Sequence, residues 1–326
     1  TQPGDPAHRF EAAAEAIVTG DIATLARLLS ADPKLVRARS DRDHRSTLLH
    51  YVAANGIEDF RQKTPPNIVA IARMLLDAGA DVNAESAAYG GRSTVLGLAA
   101  TSCHPAYAGV QNSLLELLIA RGAKIDSTEP GSAVNACLHN GRGAAAVYLA
   151  EHGASLNLEA AAGIGCLDVV RGFFNPDHSL KPSATLRQRS DGFAWACQFG
   201  HIGVVAFLLE TGIPLDAALP HHGQTGLHWA AYGGHADIVK LLLTRGASVD
   251  FRESTFGGTP LGWALYGWGA EERPAGSGNY YETVAALVRA GAKLDRAWYA
   301  SDVDRNRARA KAEADPRMLA SLGDAL

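Results

Sequence analysis

Hydrophobic residues along this chain recur at helical spacing. Between His235 and Gly246, Ile238, Val239, Leu241, Leu242 and Leu243 form a stripe at i, i+3 and i+4, the pattern of a helix with one buried side. Just upstream, Ala230 and Ala231 let a preceding helix lie close to its neighbours. Gly246 stands where the chain leaves the helix in a left-handed turn, a conformation that costs glycine no Cβ clash. Thr259-Pro260 then opens the next helix, with Thr as cap and Pro in the first turn. A helix pair of this kind cannot cover its own apolar side, so successive pairs must stack.

The pattern repeats. Gly192-Phe-Ala-Trp-Ala-Cys-Gln-Phe-Gly-His201, Gly223-Gln-Thr-Gly-Leu-His-Trp-Ala-Ala231 and Gly258-Thr-Pro-Leu-Gly-Trp-Ala-Leu265 open three successive units. The Gly-Ala type ending recurs at Gly79, Gly122, Gly153, Gly212, Gly246 and Gly291, in steps of 43, 31, 59, 34 and 45 residues. These marks and the Thr-Pro-Leu opening resemble the ankyrin repeat, whose plain unit is about 33 residues. The steps of 34 and 31 are plain units, 59 is two units with one shortened, and 43 and 45 carry insertions. The resemblance implies a whole-chain, bacterial-type ankyrin-repeat protein: an all-α solenoid of about eight helix pairs with short finger loops.

The expected pairs lie at Arg9–Leu29, 46–76, 93–119, Ala133–His152 and 158–174, with three more beginning near Asp191, Gly223 and Gly258. Within one domain over 1–326, residues 7–40 form a capping repeat and 41–295 the irregular repeats. Residues 296–326 form a helical cap. Insertions fall near 57–67, 101–110 and 268–281.

Composition changes the picture little. Lys plus Arg is 30 and Asp plus Glu is 34, a net charge of −4 that argues against nucleic acid. No apolar run reaches the roughly 18 residues of a membrane helix. The opening Thr-Gln-Pro-Gly-Asp-Pro has no secretory pattern. With no bridge framework among the cysteines, a reducing, cytoplasmic setting is expected. Phosphate-loop, nucleophile-elbow and zinc-helix motifs are absent from the sequence, and no cofactor or metal is expected.

Aromatic placement is the most unusual feature. All five tryptophans lie in the last 132 residues, and Trp195, Trp229 and Trp263 are 34 residues apart. That period puts them at one equivalent position, with Gln198, Tyr232 and Tyr266 three residues later on the same helix face. By resemblance this face looks into a concave groove, to which Phe199, Phe256 and Trp268 add. Such a wall either packs against neighbouring repeats or also grips a protein or peptide partner. The alternative is a pocket for a small molecule, used for isomerisation, elimination or cyclisation without a metal. Its candidate actors are His221, His222, Glu253, Tyr232 and Tyr266, since aromatic faces steady cations. Arg61 and Lys63, in the first insertion, are candidates for receiving an anionic group. His50 and His228, in Leu-Leu-His and Gly-Leu-His, are expected to be structural hydrogen-bonders.

Cys103, Cys137, Cys166 and Cys197 are too scattered to suggest pairing. Alkylation under denaturing conditions without reductant should therefore add four labels, read by intact mass; a missing pair of labels contradicts free thiols.

Overall fold

A computed structural model describes residues 6–126, 131–216, 223–270 and 278–325. The chain divides into two compact units, Thr1–Ser155 and Leu156–Leu326. Both are mostly helical, with almost no sheet among the described residues, consistent with an all-α helical-repeat fold of the ankyrin type.

The first unit contains α1 (Pro6–Thr19), α2 (Ile22–Ala31), α3 (Ile68–Asp77), α4 (Val95–Thr101), α5 (Cys103–Tyr107), α6 (Gln111–Ala120), α7 (Ser132–His139) and α8 (Gly143–Glu151). A 3-10 helix, Leu48–Ala53, takes the place of a first α-helix between α1 and α4. It packs on both, and α4 packs on α7; α3 packs on α6, and α6 on α8. Two short strands, β1 (Glu85–Ser86) and β2 (Ser93–Thr94), form an antiparallel finger with Glu85 opposite Thr94.

The second unit contains α9 (Leu158–Gly163), α10 (Leu167–Gly172), α11 (Leu186–Phe199), α12 (Ile202–Glu210), α13 (Gly226–Gly233), α14 (Ala236–Thr244), α15 (Pro260–Gly269), α16 (Tyr280–Arg289), α17 (Arg296–Ala300), α18 (Val303–Ala314) and α19 (Pro316–Leu322). The first helices α9, α11, α13, α15 and α18 pack in that order, and the second helices α10, α12, α14, α16 and α19 form a parallel row. Their interior is mainly aliphatic, including Leu158, Val205, Leu227, Ile238, Leu261, Val284 and Leu287, with Phe193 and Tyr299 among its buried rings.

Helix α11 starts earlier than the expected Asp191, at Leu186. Thr185 and Gln188 form a capping box, at 3.1 and 3.0 Å, that nucleates the extra turns. Two of the expected insertions acquire short helices of their own: Asp59–Arg61 in the first and α5 in the second. Residues 271–277 of the third lie outside the described residues.

The repeats of the second unit are tied by one recurring bond. Each first helix ends with a carbonyl that its own turns cannot satisfy. The ring Nε2 of His201 donates to the Gly163 carbonyl at 3.0 Å, and that of His235 to the Gln198 carbonyl at 2.8 Å. In the following repeat the Tyr280 hydroxyl donates to the Tyr232 carbonyl at 2.9 Å. The residue opening one repeat's second helix thus closes the previous repeat's first helix.

His50 and His228 form a second tie, one in each unit. Nδ1 of His228 accepts the Thr225 backbone N–H at 3.2 Å, so the proton sits on Nε2, which donates to the Gly258 carbonyl at 3.2 Å. Nδ1 of His50 accepts the Thr47 N–H at 3.1 Å, and its Nε2 donates to the Ser93 carbonyl at 3.3 Å. Both rings span from their own helix cap to the next finger, the structural role expected of them. A second ring proton would face a backbone N–H. Burial is the main force holding each ring's pKa down to about 4, from an ordinary 6.5.

The sign follows. Above pH 6.5 folded and unfolded rings are both neutral. Between pH 6.5 and 4 the unfolded rings take up protons that the folded rings refuse, so stability falls as pH drops. Unfolding free energies from urea titrations between pH 7.5 and 5.0 should decline by up to about 1.4 kcal/mol per pH unit for each histidine. His228→Asn should lower the midpoint at pH 7.5 and flatten that decline in the second unit; an unchanged slope contradicts the assignment.

Candidate binding face on the first-helix row

The 34-residue period brings equivalent residues of α11, α13 and α15 together. Ring centroids of Trp195 and Trp229 are 5.8 Å apart, and those of Trp229 and Trp263 are 6.1 Å apart. Tyr232 lies 6.2 Å from Trp229 and 5.6 Å from Trp263. Tyr266 lies 6.2 Å from Trp263 and 6.3 Å from Tyr232, to which it is nearly parallel. Phe256, from the finger before α15, adds its ring 6.1 Å from Trp263 and is 46 % exposed. These separations fall in the favourable range for aromatic pairs. Trp229, Tyr232, Trp263 and Tyr266 are half-buried, so each packs on its neighbours and keeps an open side.

Electrostatics differ along the row. Trp195 is 4 % exposed and donates its indole N–H to Oε1 of Glu159 at 3.0 Å. It closes the row as a core residue instead of lining an accessible face. Glu159 itself is buried, and so is Asp191, which is paired with Arg187 at 3.3 Å. Sequence reasoning missed both carboxylates. Their signal was an acidic residue inside the apolar run Leu158-Glu-Ala-Ala-Ala162, and one where the repeat resumes before Phe193. The indole N–H groups of Trp229 and Trp263 are buried without a hydrogen-bond partner among the described residues. Burial, then Tyr232, then the carboxylates of Asp304 and Asp302 push the Tyr266 hydroxyl pKa up.

At the far end, Arg305 lies 4.6 Å above the Trp298 ring and 5.7 Å from that of Phe256. The Trp298 indole donates to the Phe256 carbonyl at 2.7 Å, which anchors the finger tip to α17.

Several expected site residues are elsewhere or otherwise engaged. Glu253 is 1 % exposed. Its carboxylate accepts the backbone N–H groups of Thr255 at 2.7 Å, Phe256 at 2.9 Å and Gly258 at 2.8 Å. It staples its own finger, because a tight loop with unpaired donors draws in a carboxylate, and so it is unsuited to acid–base work. Arg61 is not an anion receptor: it is 6 % exposed and already bonded to Glu11 at 2.8 Å, Glu58 at 3.2 Å and Glu15 at 3.4 Å. A buried guanidinium requires such partners. Lys63 is exposed and makes no ion pair among the described residues. Trp268 leaves the row and packs on Tyr281 at 6.4 Å, with Lys311 5.1 Å above it. Phe199 makes no ring contact among the described residues. His221 and His222 lie outside the described residues.

All four cysteines are free, and burial pushes the Cys137 thiol up to about 12. Among the described residues no group of three or more His, Cys, Asp or Glu is placed to hold a metal. Among the same residues no helix is long and apolar enough to cross a membrane.

This geometry defines a helical-repeat protein with an aromatic row on its first helices. Residues 193–243, which run from α11 to α14, match the family described as ankyrin repeats (many copies). No curated protein matches the chain.

The row depends on how closely α13 and α15 approach. A Cβ on Gly267 would sit 2.4 Å from the Tyr232 carbonyl oxygen, which already receives Tyr280. Gly267→Ala should therefore push the two helices apart and lower the unfolding free energy of the second unit by about 1–3 kcal/mol, with a shift in tryptophan emission. A neutral result would mean that the approach is not tight in solution.

Proposed function

We propose that the chain is an ankyrin-type binding module whose second unit engages a protein or peptide partner through the aromatic face of its first helices. Ankyrin repeats in general serve as protein-interaction modules. The observation that carries the reading is the connected set Trp229, Tyr232, Trp263 and Tyr266, held at 5.6–6.3 Å yet half-buried. Rings serving the core alone would be covered, as Trp195 is. Half-covered Trp and Tyr combine a large contact area with little rotamer entropy to lose on binding. The Trp229 and Trp263 indole donors are buried without a hydrogen-bond partner among the described residues, and a small ring rotation toward a bound peptide carbonyl recovers part of that cost. The groove formed by this face in the ankyrin reading is concave. The same reading extends the repeats over 7–295, from a capping repeat at 7–40 to a helical cap at 296–326.

Selection of a random displayed peptide library on the purified full chain tests the reading. Enriched peptides should bind the parent chain and lose at least about ten-fold on Trp229→Ala and on Tyr232→Ala. Denaturation midpoints and circular dichroism of both variants should show that each remains folded. Failure to enrich any peptide, or enriched peptides that bind folded variants unchanged, overturns it.

A further inference from the structure

Two buried tryptophans of this chain have acceptors for their indole N–H groups. Trp195 donates to Glu159 at 3.0 Å, and Trp298 donates to the Phe256 carbonyl at 2.7 Å. The N–H groups of Trp229 and Trp263 are buried without a hydrogen-bond partner among the described residues. A buried donor without an acceptor costs free energy, so the exception calls for a reason. The two exceptions are neighbours: they hold equivalent places on α13 and α15, with ring centroids 6.1 Å apart. On the same helices Tyr232 and Tyr266 repeat the step at 6.3 Å. Gln198, at the equivalent of Tyr232 on α11, has its Oε1 buried without a partner among the described residues. Two donors and one acceptor are thus unmet on one row of helices.

The step along the row and the unmet donors together select the form of the partner. An α-helix has a similar pitch, but its carbonyls are consumed by its own hydrogen bonds. A polyproline helix leaves its carbonyls free, yet one side recurs only every three residues, about 9.3 Å. An extended strand turns the carbonyl and N–H of every second residue to one edge, about 6.7 Å apart. We propose that the face binds its peptide partner as an extended strand laid across α13 and α15, held through its backbone as well as its side chains. The proposal rests on the aromatic face being the peptide-binding surface. The indole N–H groups of Trp229 and Trp263 donate to the carbonyls of peptide residues i and i+2, and Gln198 Oε1 accepts a peptide N–H toward α11. Both tryptophans are half-buried, and a turn of each ring about its Cβ–Cγ bond carries the N–H to the peptide. Side chains on one side of the pleat rest on the Tyr232 and Tyr266 rings, and the alternate ones face solvent.

Two measurements on the full chain, with a synthetic copy of the most enriched library peptide as probe, provide the test. Alanine replacement along the peptide should weaken binding at least about ten-fold at alternate positions and less than about two-fold at the positions between. In proton–nitrogen spectra, with indole signals assigned by single tryptophan-to-phenylalanine variants, the Trp229 and Trp263 signals should move downfield in proton shift on saturation. The Trp195 and Trp298 signals, whose N–H groups are already bonded, should stay. Sensitive positions spaced by three and four mark a helical partner, and a strict spacing of three marks a polyproline partner. Either spacing overturns the proposal, and so do Trp229 and Trp263 signals that fail to move downfield. If the strand fails in this way while the peptide still loses binding on Trp229→Ala, the peptide-binding face stands. Failure to enrich any peptide overturns both.

Discussion

Close approach of consecutive first helices is the constraint on which the second unit depends. Small residues stand where those helices touch. A Cβ on Gly192 would meet the Ala162 methyl at 2.8 Å, one on Gly226 the Phe193 ring at 2.6 Å, and one on Gly267 the Tyr232 carbonyl at 2.4 Å. Bulk at any of these points would hold the repeats apart. With the helices in contact, the carbonyl that ends each first helix comes within reach of His201, His235 or Tyr280 from the next repeat. Apolar burial and hydrogen bonding therefore reinforce one spacing.

The aromatic row is a consequence of that spacing. Equivalent side chains on adjacent first helices converge until their rings sit about 6 Å apart, where edge and face contacts are favourable. The row then divides by environment. Trp195 finds a carboxylate, Glu159, and is absorbed into the core. Trp229, Tyr232, Trp263 and Tyr266 pack on one another and stay half-buried. Arg305, stacked on Trp298 and beside Phe256, ends the row with a cation. The gradient from buried carboxylate to stacked guanidinium gives the face a direction.

The first unit handles its irregularities by a different device. The segment 57–67, expected as an insertion, is fastened by Arg61, which bridges Glu11 and Glu15 of α1 and its neighbour Glu58, while Arg42 also reaches Glu58. Charges buried in this way are tolerated because each is paired. The fastening explains why a segment with the composition of a solvated loop is ordered against α1. It also leaves no open charge in Arg61 for an external anion.

Local sequence patterns determined the helical repeat, its period, the turn glycines, the capping histidines and the equivalence of Trp195, Trp229 and Trp263. All of these rest on spacing within one or two repeats. The early start of α11 was also written locally, in the pair Thr185 and Gln188. Only the tertiary structure decided which equivalent residues differ in role. Trp195 and Trp229 hold the same place in the repeat, yet one is sealed by Glu159, which stands 36 residues upstream. Glu253 and Arg61 carry the residue types of a reactive site, but folding surrounds one with backbone donors and the other with carboxylates. Trp268, one turn beyond Trp263, is drawn away by Tyr281 and Lys311. The physical reason is range: periodicity specifies which side of a helix a residue occupies, while exposure and charge state depend on the neighbours that other repeats bring to that side.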